Sequence, residues 1–293
     1  MREYAIVDAH VHLWEKQQGM IDGLPVCGLG NGKSSFCGEV RQMMPPYMDD
    51  DRNTAERLLA NMDYAGVNAC VVTQEYMDGN QDEYLKRVRE RYPERFRITA
   101  LYEEREGYRL DDADGLKICA GRMADPDLKK LLPVFRKVEE AGKFIAIDLA
   151  DGAKQTEDMQ FLIDRCPDLK IAIGHFGMVT TPGWKEQIAL AKNKNVFIES
   201  GGLTWLFHKE FYPYPSAVNA ILEASEICGM GKLMWGSDYP RTMTDISYIS
   251  ALRFIKESTK LSDIQKREFL GGNACEFYGF RNLPKLDKID NML

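Results

Sequence analysis

The sequence predicts an α/β fold, a (β/α)8 TIM barrel of somewhat distorted form with a long loop after its first strand, and two observations predict it. Eight short apolar runs of strand length recur over nearly the whole chain, most of them separated by stretches with helical periodicity. No glycine fingerprint follows the first run, so the runner-up, an open doubly wound sheet, lacks its expected signature.

Bulk composition agrees with one globular enzyme. The chain has 293 residues, 44% hydrophobic and 28% charged, and nothing in its composition forces a split, so a single domain over 1–293 is expected, with a lid-like insertion at 14–51 and a C-terminal tail at 281–293. No run of about 18 apolar residues is present, which excludes a membrane span. The amino terminus enters a strand without an apolar signal region, so a cytoplasmic location is expected. Seven cysteines, none spaced Cys-x-x-Cys, argue for reduced thiols rather than a disulfide framework or a thiolate zinc knuckle. A formal charge of −7 disfavours nucleic-acid and anionic-membrane partners and leaves a small-molecule substrate as the expected partner, with a homo-oligomer compatible with the sequence.

The elements follow in order. Ala5–Leu13 opens as a buried strand and ends on His10 and His12. The segment 14–51, rich in glycine, methionine and proline, is longer than an ordinary connection and reads as an irregular cover over the strand end it leaves. A helix is expected over 51–65, capped by Asn53 or Thr54, then a strand over 67–73, a helix over 81–92 and a strand over 97–102. Residues 103–114 are too charged and glycine-broken for a helix. Strands over 116–119, 144–149, 171–174, 196–199 and 232–236 alternate with helices over 127–141, 156–165, 184–192 and 216–227. Two closing helices cover 245–257 and 262–270.

Chemistry is expected where strands end. His10 and His12, two residues apart on a strand, project to one face, and the chain holds only four histidines. The eighth strand ends at Asp238. Two imidazole nitrogens and one carboxylate oxygen suit a divalent metal, Zn2+ or a similar ion, with a position left open to water. Asp238 is then placed to take a proton from that water, and His175, after the sixth strand, to complete the metal site or act as acid, base or electrophile. Lys117, inside an apolar strand, either binds a substrate anion or pairs with Asp148 or Glu199. Lys117, Asp148, Arg122 and Arg241 are the candidates for binding an acidic substrate. Gln74, Glu75 and Ser200 also stand at strand ends. Trp14, Trp205, Phe207 and Tyr239 are either aromatic pocket walls or core, and His208 fits a loop wall better than a ligand.

Asp8-Ala9-His10-Val11-His12, Gly115-Leu116-Lys117, Ile173-Gly174-His175-Phe176-Gly177, Trp235-Gly236-Ser237-Asp238-Tyr239-Pro240 and Gly272-Asn273-Ala274 resemble, in that order, the motifs of the amidohydrolase-related (amidohydrolase 2) family of the metal-dependent hydrolase superfamily. The resemblance runs from Val7 to about Phe280 and implies a distorted (β/α)8 barrel, with metal ligands at His10, His12 and Asp238 and an acid–base or metal role at His175. Similar proteins include metal-dependent hydrolases, sugar and aromatic-acid lactonases, and non-oxidative decarboxylases such as the aminocarboxymuconate semialdehyde and resorcylate enzymes. One departure stands out: metal-binding members usually carry a histidine at the end of strand five, where this chain has Asp148.

The expected function is hydrolysis of a small, acidic ester, lactone or amide by water activated by a metal and Asp238. The alternatives are a metal-dependent non-oxidative decarboxylase with His175 as proton donor, a metal-independent lactonase in which Asp238 alone activates water, and a barrel that binds a metabolite without turnover.

Overall fold

Val7–Val11, all of whose side chains are buried, forms strand β1. In the computed structural model residues 4–289 are described; residues 1–3 and 290–293, at the two ends of the expected domain and its tail, lie outside the described residues. Four short strands follow, β2 (Gln18–Ile21), β3 (Leu24–Gly30), β4 (Lys33–Phe36) and β5 (Glu39–Gln42). After them come β6 (Ala69–Val72), β7 (Phe96–Leu101), β8 (Gly115–Ile118), β9 (Phe144–Ile147), β10 (Lys170–Ile173), β11 (Val196–Glu199) and β12 (Leu233–Met234). Strands β1 and β6–β12 pair with their sequence neighbours in that order, all parallel.

The ring closes just past β12. The Ala9 N–H donates to the Trp235 carbonyl (2.8 Å), the Asp238 N–H to that of His10 (3.0 Å), and the His12 N–H to that of Tyr239 (2.8 Å). Around it lie α1 (Ala55–Ala65), α2 (Asp82–Arg91), α3 (Leu132–Glu140), α4 (Thr156–Arg165) and α5 (Trp184–Ala189). A short α6 (Leu203–Leu206) is followed by α7 (Pro215–Cys228), α8 (Tyr248–Lys256), α9 (Asp263–Arg267) and α10 (Asn273–Tyr278). The expected barrel is thus observed. The closing helix expected over 262–270 starts at a Ser262–Gln265 capping box but passes through a π turn at Glu268–Gly272 into α10.

The segment 14–51 corrects the reading of an irregular cover. Strands β2–β5 form an antiparallel meander whose three turns are Asp22-Gly23, Asn31-Gly32 and Cys37-Gly38, every one of these six residues with positive φ. Two-residue turns of this hand match the twist of paired strands, and Asp-Gly and Asn-Gly are their usual sequences. Those dipeptides were the missed signal: the glycines mark hairpins, not flexibility.

Buried on both faces, the barrel strands read as apolar runs, yet they alternate in what each face meets. On β9, Ile145 and Ile147 join the core under the helices, whereas Phe144 and Ala146 join an inner cluster closed off by Phe277 and Tyr278 of α10. The inward sequence is therefore Phe144, Ala146, Asp148, and on β12 it is Met234, Gly236, Asp238. Apolar side chains fill one end of the barrel and chemistry emerges at the other. In β1 the register shifts between Asp8 and Val11, which separates Asp8 from the two histidines. Asp8 accepts from the Tyr248 hydroxyl of α8 (2.8 Å) and the Ser237 N–H (2.8 Å), pinning the first strand to the last.

Candidate active site

The side chains that leave the strand ends converge on a cavity of about 810 Å3 lined by His12, Asp148, His175, Trp205, Asp238 and Arg241 among others. His10 lies beneath it. Its Nδ1 is 2.7 Å from Glu199 Oε1, so that nitrogen carries the proton and Nε2 presents a lone pair. This lone pair is 3.1 Å from His12 Nε2, and His12 Nε2 is 3.0 Å from Asp238 Oδ1. His10 Nε2 and Asp238 Oδ1 are 3.9 Å apart.

That spacing fits a small divalent ion. Four-coordinate zinc with ligands at about 2.0–2.2 Å has neighbouring donor atoms roughly 3.3 Å apart, the scale of the three separations here. His12 Nδ1 is buried and has no hydrogen-bond partner among the described residues; Asp78 Oδ2 lies 3.8 Å from it. Burial, then the nearby Arg241 charge, push the His12 pKa down and favour the neutral ring that a metal requires. Burial would raise the Asp238 pKa, but the hydrogen bond with His12 and the charge of His175 outweigh it and hold the carboxyl well below its usual range. Asp238 adopts φ 59°, a left-handed backbone that Asp tolerates better than most residues. Its Oδ2 accepts the Trp205 indole N–H at 2.7 Å.

A second group adjoins the first. The His175 ring packs on His10 with centroids 4.6 Å apart; its Nδ1 donates to the Gly201 carbonyl (3.0 Å), and its Nε2 is 3.5 Å from Asp148 Oδ2. His10, Asp148 and His175 also bring ligand atoms within 4.8 Å of one another, so His175 groups with Asp148 and His10 rather than with His12 and Asp238. Burial alone would lower the His175 pKa, but the Asp148 carboxylate raises it to about 10. Lys117 is buried below and pairs with Asp148 Oδ2 at 2.5 Å, the second of its two expected uses. Asp148 Oδ1 and Glu199 Oε1 crowd Gly174, where a Cβ would lie 2.1 and 2.6 Å from them; only glycine admits both carboxylates.

The two arginines differ. Arg241 Nη2 donates to both oxygens of Asp78 (2.8 and 3.0 Å), while its Nε and Nη1, shielded from solvent, have no hydrogen-bond partner among the described residues. Such buried donors are free to take a further acceptor. Arg122 is exposed at the rim, with Nε 3.4 Å from Glu75 Oε1. Of the four aromatic residues, Trp205 lines the cavity, whereas Trp14 and Tyr239 are core and Phe207 packs against it. His208 is exposed and bonds the Trp205 carbonyl (2.6 Å).

Three contributions were not foreseen in the sequence, where Glu199 was named only as a possible partner of Lys117. Glu199 orients His10, Asp78 anchors Arg241, and the β4–β5 hairpin brings Phe36, Arg41, Gln42 and Met43 to the cavity wall. Glu199 was visible as a strand-end carboxylate. Asp78 and the hairpin residues carried no signal, since their reach depends on how two surface segments fold back.

The family model described as Amidohydrolase matches residues 7–280. No curated protein matches the sequence at a significant level. Among solved structures, the chain is similar to an amidohydrolase from Burkholderia multivorans with bound zinc, at 16% identity and TM-score 0.67 over 96% of this chain and 100% of that one. It is similar to a protein from Pseudomonas putida described as a candidate 2-pyrone-4,6-dicarboxylic acid hydrolase, at 21% identity and TM-score 0.67 over 96% and 99% of the two chains. Amidohydrolase 2 from Bifidobacterium longum subsp. infantis aligns at 17% identity and TM-score 0.64 over 94% and 99%. At these identities the likeness carries the barrel fold.

Proposed function

We propose that this chain, which belongs to the amidohydrolase family, hydrolyses a small ester, lactone or amide that bears a carboxylate. The observation that carries the reading is the meeting of His10 Nε2, His12 Nε2 and Asp238 Oδ1 at one cavity that also holds unpartnered Arg241 donors. His10, His12 and Asp238 would hold a divalent ion, zinc being the first candidate, with His175 and Asp148 beside it. A bound ion there supplies Lewis acidity, polarising a carbonyl and lowering the pKa of water to near neutrality.

The chain's own residues do the rest. Asp238, ionised at neutral pH, accepts a proton from the attacking water. His175, kept protonated beside Asp148, gives a proton to the departing oxygen or nitrogen. Arg241 Nε and Nη1 take the substrate carboxylate and fix the scissile carbonyl toward Asp238. The cavity, at about 810 Å3, has the size of a small-molecule site. The dicarboxylic substrate in the name of the Pseudomonas putida protein is of the same chemical kind.

A second reading, a lactonase that needs no metal, is favoured by one observation: β9 leads into Asp148, whose charge goes to Lys117 and His175. Elemental analysis of protein purified without chelator, with assays of carboxylated lactones, esters and amides, tests both. Stoichiometric zinc with ring-opening or acid release supports the first; turnover by metal-free protein replaces it with the second. Release of CO2 from a carboxylic acid, without hydrolysis, overturns both in favour of a decarboxylase.

A further inference from the structure

The stretch 199–205 orients three side chains of the candidate site. Glu199 accepts from His10, the Gly201 carbonyl accepts from His175, and the Trp205 indole N–H donates to Asp238. We propose that Trp205 is a positioning residue: its indole N–H fixes the Asp238 carboxylate so that Oδ1 faces the imidazoles of His10 and His12. The inference rests on the function proposed above only in taking Asp238 as a working group.

An indole nitrogen donates and cannot accept, so Trp205 can neither relay a proton nor ligate a metal. It can only orient. At 2.7 Å the bond to Oδ2 lies in the range of charge-assisted hydrogen bonds, and among the described residues it is the only side-chain bond to that oxygen. A pocket wall would need the ring alone; here the N–H edge is turned onto a carboxylate. The backbone is shaped for that edge. Gly202 has φ 83°, and a Cβ on it would lie 2.0 Å from Trp205 Nε1. Glycine thus allows the left-handed turn into α6 and clears the path of the indole. On the other side of Asp238, Oδ1 is 3.0 Å from His12 Nε2, so the carboxylate is held at both oxygens and cannot rotate without breaking one contact.

The test compares native protein with Trp205→Phe, which keeps a ring and removes the N–H. Competition between a chelator and the protein for Zn2+ alone should show about 10–100-fold weaker binding in the variant, the usual loss when a partner of a ligand is removed. The second measurement needs no metal. In protein labelled with 15N at its four tryptophans, the Trp205 indole signal, assigned by its absence in Trp205→Phe or by proximity to the His175 ring, should move when Asp238→Asn replaces the carboxylate by an amide. Equal Zn2+ affinity in native protein and Trp205→Phe, or an indole signal indifferent to Asp238→Asn, overturns the proposal. Native protein that binds no Zn2+ instead overturns the metal-dependent function, and the indole signal then decides the role of Trp205 alone.

Discussion

Lys117 Nζ and Asp148 Oδ2 meet at 2.5 Å beneath the cavity, with the lysine 1% exposed and the aspartate side chain 13% exposed. Burial would raise the Asp148 pKa, but the Lys117 charge and then His175 hold the carboxyl well below its usual range. Lys117→Met should therefore cost about 3 kcal/mol, because it removes the buried partner of Asp148 and leaves only His175 beside that charge. Lys117→Met combined with Asp148→Asn should recover part of that loss in denaturant unfolding. A depressed carboxyl adds stability that is present above its unfolded pKa, about 3.9, and lost as pH falls through the folded value. The native protein should keep this contribution at neutral pH and lose it only in strong acid, whereas the double variant should lack that acid-dependent term.

Glu199 holds three donors: His10 Nδ1 at 2.7 Å, the Gly201 N–H at 2.6 Å and the His175 N–H at 3.2 Å. In Glu199→Gln an amide N–H must face one of those donors, and the His10 tautomer is no longer dictated. Zn2+ affinity measured by chelator competition should fall about 10–100-fold. An unchanged affinity would remove Glu199 from the support of the site.

Asp238→Asn keeps the shape of the carboxylate and its contact with Trp205 but cannot take a proton from water. Turnover of whichever ester, lactone or amide the native protein accepts should drop by about 100-fold or more, the usual scale for losing a general base. Thermal unfolding should change little by comparison. Normal activity in this variant would exclude Asp238 as the base.

Arg241→Lys retains a charge for Asp78 but gives up the planar donors at Nε and Nη1. For a carboxylated substrate, KM should rise by about 10–100-fold, with a smaller change in kcat, since one charge-assisted hydrogen bond contributes about 1.5–3 kcal/mol. A matched substrate with the carboxylate replaced by a neutral group should show no such difference between native protein and variant. If both substrates lose equally, Arg241 acts through the fold.

His10→Ala together with His12→Ala should leave the protein folded and strip it of metal, read by elemental analysis. Treating native protein with chelator should abolish activity, and Zn2+ should restore it. Activity that survives complete metal removal points to the metal-free reaction, with Asp238 as the group to test next.

The barrel and the place of its chemistry were legible in the sequence because both follow from local rules. Strands buried on both faces must be apolar, and residues two apart share a face, so His10 with His12 and the strand-end residues Asp148, His175, Glu199 and Asp238 could be named from the chain alone. The hairpins of 14–51 were legible too, in Asp22-Gly23 and Asn31-Gly32, although the segment as a whole reads as an irregular cover. What the tertiary structure alone decided was partnership. Whether Lys117 meets a substrate or Asp148, which carboxylate sets the His10 tautomer, and whether Trp205 presents its ring or its N–H all depend on contacts between residues tens to hundreds of positions apart. Periodicity fixes the direction of a side chain relative to its own strand, but only closure of the ring brings the opposing strand ends within hydrogen-bond distance.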